Sequence, residues 1–403
     1  MEDKRFIRTL RLKNFLSYGS EGETIELQPL NVLIGPNASG KSNLIEAVGL
    51  LKATPTNLTV PIRKGGGISD FLWKGERGIP TAEIEVTLDN PANMPLRYRI
   101  SFTVAGQRLE LVDEAIENET SYSGENDVYF YYRYQYGRPA LNVKTRLEGQ
   151  TGTITDRSER RLRREDLIPD QSVLSQRKDP DQYPELTYVG NQFSSIALYR
   201  DWHIGRDSDP RMPQKSDLPE HPLLEDGSNL GLVLNNLQHQ LGTRQIIEKL
   251  KKFYDAAEEL TTKIYGGTVQ IFIREEGLTQ PIPATRLSDG TLRYLFLMAL
   301  LLDPTPPPLI CIEEPEIGLH PDILPTIAEM LIEASQRTQL IVTTHSDALV
   351  SGLSEYPESV LVGERNNTGS HLRRLEPNRL KNWLEKYTLG DLWRMGEIGG
   401  NRW

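Results

Sequence analysis

The chain has 403 residues, 25% of them charged and 37% hydrophobic, with a formal net charge of −10. This composition supplies a buried core and excludes a disordered chain, and the acidic balance argues against indiscriminate nucleic-acid binding while leaving room for a local basic groove. A single cysteine, Cys311, excludes an internal disulfide and a cysteine-built zinc site, and the six histidines show no metal-ligand spacing. The opening MEDKRFIRTL has no signal-peptide core, and the longest apolar run, Tyr294–Leu302, is too short to span a bilayer. A cytoplasmic protein without a membrane partner is expected.

Phe6–Phe15 alternates apolar and basic residues, which predicts a half-buried strand with Thr24–Leu27 as its hairpin partner. Leu30–Ile34 is a short apolar run of the kind buried on both faces. It feeds a glycine loop, and Asn43–Lys52 follows as a helix. After a loop-rich stretch at 54–80, four strands are expected at Ala82–Leu88, Leu96–Val104, Leu109–Ile116 and Asp127–Gln135. The last, DVYFYYRYQ, reads as an aromatic face of an antiparallel sheet. Residues 145–220 are polar with weak periodicity. From Ser228 the pattern turns helical, through LGLVLNNLQHQL and, past Gly242, RQIIEKLKKFYDAAEELTTKI. Thr268–Arg274 is one more strand. The expected division is an ATPase core of residues 1–52 and 265–403, a β-rich insertion with polar loops at 53–215, and a helical subdomain at 216–264.

Four strings carry the chemistry. GPNASGKS, formed by Gly35, Pro36, Asn37, Ala38, Ser39, Gly40, Lys41 and Ser42, matches G-x-x-x-x-G-K-[ST] between a predicted strand and a predicted helix. The glycines permit close backbone approach, and the loop amides and helix start would face the phosphates of ATP. Lys41 would neutralise phosphate charge, and the Ser42 hydroxyl would ligate Mg2+. LICIEEPE at Leu309–Glu316 is a second buried strand ending in two carboxylates, where burial demands a cation or a proton donor. Glu313 is expected on the Mg2+, and Glu314 as the base that polarises the attacking water. Glutamate at the first position brings one methylene more than the usual aspartate.

RLSDGT at Arg286–Thr291 opens an apolar helix with Ser288 as its cap, and a helix N-terminus with Ser288 and Gly290 is also an anion site. In a head-to-tail dimer it would meet the partner's γ-phosphate. IVTTHS at Ile341–Ser346 ends a third buried strand with His345, which can hydrogen-bond the same phosphate.

With the strings NFLSYG, GPNASGKSNLIEA, LSDGTLRYL, EEPEIGLHP, TTHSDAL and the ending GEIGGNRW, the chain resembles the ABC-class ATPase heads of the RecF, structural-maintenance-of-chromosomes and OLD groups. It is most similar to the compact bacterial AAA ATPases of that class. The resemblance is tight over Phe6–Leu51 and Thr268–Val350. It implies an α/β P-loop NTPase head with a mixed central sheet, carrying an antiparallel β and helical insertion. It further implies Gly35–Ser42 as Walker A, Ser288–Thr291 as the signature, Glu313 and Glu314 as Walker B and catalytic base, Gly318–Pro321 as the D-loop and His345 as the switch histidine. The Q-loop glutamine has Gln192 as its candidate. Neither long coiled coils nor an appended nuclease is expected, so an effector nuclease would be a separate protein.

Arg157–Arg164 (RSERRLRR) holds five arginines in eight residues, and Arg200, Arg206 and Arg211 follow. The patch reads either as a solvated loop or as a phosphate-contacting surface for DNA or RNA. Arg63 and Lys64 are further candidates for the γ-phosphate. The favoured expectation is an ATPase that dimerises around ATP and Mg2+ and switches on nucleic acid or an effector, in DNA repair or phage defence. The alternative is an ATP-regulated scaffold for a separate protein, and a transporter's nucleotide-binding subunit comes third.

Overall fold

The computed structural model describes residues 5–75, 77–90, 94–135, 137–146, 155–161, 167–201 and 204–400. Its centre is the set of apolar runs expected to be buried on both faces. Leu30–Ile34 and Gln339–Thr343 are buried at every position, and Leu309–Glu313 at all but the last. They belong to a six-stranded sheet in the order Ala197–Tyr199, Leu309–Glu313, Gln339–Thr343, Leu30–Ile34, Val360–Asn366, Gly369–Arg374. The first five are parallel, and the last returns antiparallel to its predecessor.

Successive residues of these strands enter different cores, as the two-residue period requires. Val32, Ile34, Ile310, Ile312, Leu340 and Val342 pack with the helices Asp289–Leu301 and Leu324–Ser335. Leu33, Leu309, Cys311 and Ile341 pack on the other side with the helix Lys41–Ala53. Covering both faces in this way is what a parallel sheet needs.

An eight-stranded antiparallel sheet shares the second core. Its order is Glu23–Glu26, Ile7–Lys13, Ala82–Leu88, Leu96–Ala105, Arg108–Asn118, Phe130–Gln135, Arg138–Arg146, Thr155–Arg161. The buried amide of Gln339 ties the two sheets, accepting from Ile7 N at 2.9 Å and donating to Ile7 O at 2.8 Å. Sheet membership departs from the expected division at two points. The first two strands, expected in the core, pair within the antiparallel sheet. Ala197–Tyr199, expected in the insertion, is an edge of the core sheet.

One predicted helix is overturned in its second half. The helix Thr243–Lys251 stops, and Ala257–Tyr265 is a strand paired with Thr268–Glu275. The reason is local: Thr261, Thr262, Ile264 and Tyr265 are β-formers, and Gly266 and Gly267 at φ 58 and 79 make the hairpin turn.

Candidate active site

The strand Leu30–Ile34 ends at Gly35, and the chain turns into the helix Lys41–Ala53. Gly35 and Gly40 have φ of 140 and 101. A Cβ on Gly35 would stand 2.4 Å from the Gly363 carbonyl oxygen, and one on Gly40 2.6 Å from Ser370 Oγ. Only glycine meets both demands at either position. The helix starts with no side-chain cap, so its first amides lack intrahelical acceptors and its dipole favours an anion there. Asn37, Ala38 and Ser42 are exposed, Pro36 is half-buried, and Ser39 and Gly40 are buried.

Lys41 is buried, and its Nζ donates to the carbonyls of Gly35 at 2.8 Å and Pro36 at 3.0 Å. Burial pushes the ammonium down to about 8, opposed by the negative charge of Glu314. The lysine is therefore held at the loop it would serve, and its charge is poorly solvated.

Glu313 still pairs in the ladder, opposite Thr343. Glu314 then takes φ 48, a left-handed conformation that costs a non-glycine residue on the order of 1–3 kcal/mol. This turn sends the two adjacent carboxylates to different partners. Glu313 Oε2 lies 3.3 Å from Arg200 Nε, and Glu314 Oε1 lies 3.6 Å from His345 Nε2. Burial and the Lys41 charge hold His345 below the usual histidine range, against the pull of Glu314. Lys41, Glu314 and His345 thus act on one another electrostatically, which the separate motifs could only suggest.

Glu316 escaped the sequence reading. Its Oε1 accepts from Thr344 Oγ1 at 2.8 Å and from the His345 amide at 2.7 Å, and burial raises its pKa. It fixes the backbone that presents His345. The available signal was a third carboxylate in EEPE.

At the turn that opens the helix Asp289–Leu301, Ser288 Oγ accepts from the Thr291 amide at 3.0 Å. Ser288 and Asp289 are exposed, and a Cβ on Gly290 would stand 3.0 Å from the Gly318 carbonyl oxygen. Behind the turn, the buried Arg211 donates to Leu287 O at 2.5 Å, to Ala284 O at 3.4 Å and to the Asp289 carboxylate. Arg211 therefore braces this turn and does not belong to a phosphate-contacting surface. Arg200 is likewise engaged internally, whereas Arg206 is exposed. Arg157, Arg160 and Arg161 lie on the terminal strand Thr155–Arg161, and Arg163 and Arg164 fall outside the described residues. Gln192 is half-buried within the helix Pro184–Ser194, and Arg200 stands beside Glu313. Arg63 and Lys64 are exposed in the last turn of the helix Thr59–Lys64.

This fold and these strand-end motifs define an ATP-binding ATPase head of the ABC class, of the RecF- and SMC-like type. Residues 30–351 match the family described as "AAA domain, putative AbiEii toxin, Type IV TA system", and the chain belongs to that family. It is similar to the chromosome partition protein Smc of Mycolicibacterium paratuberculosis, 32% identical over 98 residues, 23% of this chain and 8% of that protein. It is also similar to the DNA replication and repair protein RecF of Picosynechococcus sp., 32% identical over 96 residues, 23% of this chain and 24% of that protein. The chain thus matches less than a quarter of either relative's length. A crystal structure of an Smc head bound to the C-winged helix domain of ScpA has a TM-score of 0.54 at 15% identity, covering 93% of this chain and 99% of that one. The Smc head with an extended coiled coil bound to the C-terminal domain of ScpA from Pyrococcus furiosus has a TM-score of 0.52 at 14% identity, covering 94% and 99%. These two structures share the fold. No helix among the described residues is long and apolar enough to cross a membrane.

Proposed function

We propose that two copies of this chain close head to tail over ATP and act as a hydrolysis-timed switch on DNA, in repair or in defence. The observation that carries this reading is the signature turn, whose Ser288 and Asp289 are exposed yet held rigid from behind by Arg211. An exposed helix N-terminus braced by a buried arginine suits a phosphate delivered by another molecule. The helix Asp289–Leu301 behind it is long enough to carry a useful dipole.

Within one head, Gly35–Ser42 would cradle the phosphates and Lys41 would turn from its own carbonyls to the β- and γ-phosphates. Glu314 would take the proton of the water that attacks the γ-phosphorus. The P–O bond to the leaving ADP breaks as the new one forms, and His345 would hold the γ-phosphate and orient that water. Ser42 and Glu313 fit a Mg2+ ion: one hydroxyl is exposed on the helix's first turn, and one carboxylate already attracts a cationic group. When bound, that ion would neutralise charge between the β- and γ-phosphates.

DNA as the object is supported by the names of the two relatives, which concern chromosome partition and DNA replication and repair. A second reading, an ATP-regulated scaffold for a separate effector, is favoured by the internal use of Arg200 and Arg211, which thins the basic surface. ATP turnover with and without double-stranded DNA, at low and high salt, separates them. Stimulation that fades with salt supports the DNA switch, and indifference to DNA supports the scaffold.

A further inference from the structure

We propose that Arg200 is a positioning residue for Glu313. Its guanidinium competes with the divalent cation for that carboxylate and so sets the cation level at which nucleotide is held. This rests on the reading of Glu313 as the cation-binding carboxylate.

The placement follows from the sheet. Ala197–Tyr199 pairs in parallel with Leu309–Glu313, with Tyr199 opposite Ile312, so the residues that follow these two are Arg200, just past its strand, and Glu313. Arg200 Nε lies 3.3 Å from Glu313 Oε2, and its Nη2 lies 2.6 Å from Glu46 Oε2 on the helix Lys41–Ala53. One planar guanidinium thus joins the strand that ends at Glu313 to the helix that begins at the phosphate loop, a shape lysine cannot reproduce.

The contact can also be given up. Both ion pairs are partly exposed, with 26% of the Arg200 side chain open, 23% of Glu46 and 18% of Glu313. Pairs of that exposure are worth a few-fold in an equilibrium, not many orders of magnitude. Arg200 also lines a cleft of about 650 Å3, together with Glu46, Gly49, Lys64, Leu198 and Asp201. The guanidinium therefore has solvated space to enter without leaving Glu46. A guanidinium and a divalent cation cannot each take the full charge of one carboxylate, so occupancy by one lowers the affinity of the other.

The sign of two substitutions separates competition from simple bracing. Arg200→Gln removes the guanidinium's share of that competition for Glu313. Glu46→Gln leaves Arg200 with Glu313 as its remaining partner and strengthens the competition. A merely structural clamp would be loosened by both changes in the same direction.

The test is the half-saturating Mg2+ for binding of a fluorescently labelled ATP to the full chain, read by anisotropy, with melting temperature as a check on folding. Arg200→Gln is expected to lower it roughly two- to fivefold, Glu46→Gln to raise it, and Arg200→Lys to fall between wild type and Arg200→Gln. Arg200→Lys carries the test if Arg200→Gln does not fold. An unchanged value for the arginine variants, or a shift of Arg200→Gln and Glu46→Gln in the same direction, overturns the proposal. Glu313→Gln in the same assay tests the underlying reading. If it leaves the Mg2+ requirement unchanged, that reading fails and the proposal with it. If it shifts the requirement while Arg200→Gln does not, only the proposal fails.

Discussion

His345 Nε2 lies 3.6 Å from Glu314 Oε1 because Glu314 leaves the strand in a left-handed conformation at φ 48. An extended residue would have sent the second carboxylate to the opposite side of the sheet from Glu313. The strained turn instead brings Glu314 beside His345 and within electrostatic reach of the Lys41 ammonium. If His345 orients the reaction there, His345→Ala should lower ATP turnover by on the order of a hundredfold. Binding of a fluorescent ATP analogue should stay within a few-fold of wild type, and equal losses in both would make His345 a binding residue only.

Lys41 gives a pH signature. Burial brings its ammonium down to about 8, so the free protein holds the charge below that pH and loses it above. Phosphates favour the charged form, so above pH 8 binding must take up a proton. Affinity for ATP should be flat near neutrality and then fall as pH rises through 8, approaching about tenfold per unit. Titration of ATP binding by calorimetry in two buffers of different ionisation enthalpy would show the proton directly, and Lys41→Ala should abolish binding.

The phosphate loop is sterically closed at both of its glycines. Gly35→Ala would set a methyl group 2.4 Å from the Gly363 carbonyl oxygen while forcing alanine into φ 140. We expect a loss of roughly 2 kcal/mol or more in stability, together with the loss of ATP binding. Chemical denaturation measures the first and anisotropy the second.

Arg211 separates scaffold from surface. Arg211→Met would take from the buried Leu287 carbonyl its Arg211 donor, while Ala284 O keeps the Leu287 amide, at about 1–3 kcal/mol of stability. ATP turnover should fall with the loosened signature turn. DNA affinity of the folded variant should not change, whereas a phosphate-contacting arginine would lower it and shallow its salt dependence.

Much of the candidate site's layout was legible because its residues follow the ends of buried strands. Three apolar runs, each followed at once by a glycine loop, a carboxylate pair or a histidine, can hardly be arranged otherwise than side by side in a parallel sheet. What stayed hidden was long-range. Arg200 and Arg211 sit in a polar stretch with weak periodicity, and only the pairing of Ala197–Tyr199 beside Leu309–Glu313 shows what Arg200 touches. The strand Ala257–Tyr265 was hidden by DAAEEL, a helix-forming run that follows a true helix. Tertiary pairing across Gly266 and Gly267 overrides that propensity. Glu316 was visible as a residue, but its role depends on the His345 amide reaching back across the sheet edge.

The central claim is that ATP joins two heads through the signature turn. Sedimentation of Glu314→Gln with and without ATP and Mg2+ tests it most directly, since that variant should bind nucleotide and fail to release it. The account predicts a nucleotide-dependent dimer, lost again when Ser288→Arg is added to block the signature turn. A single species of unchanged mass with and without ATP, in a variant that demonstrably binds it, would contradict the account.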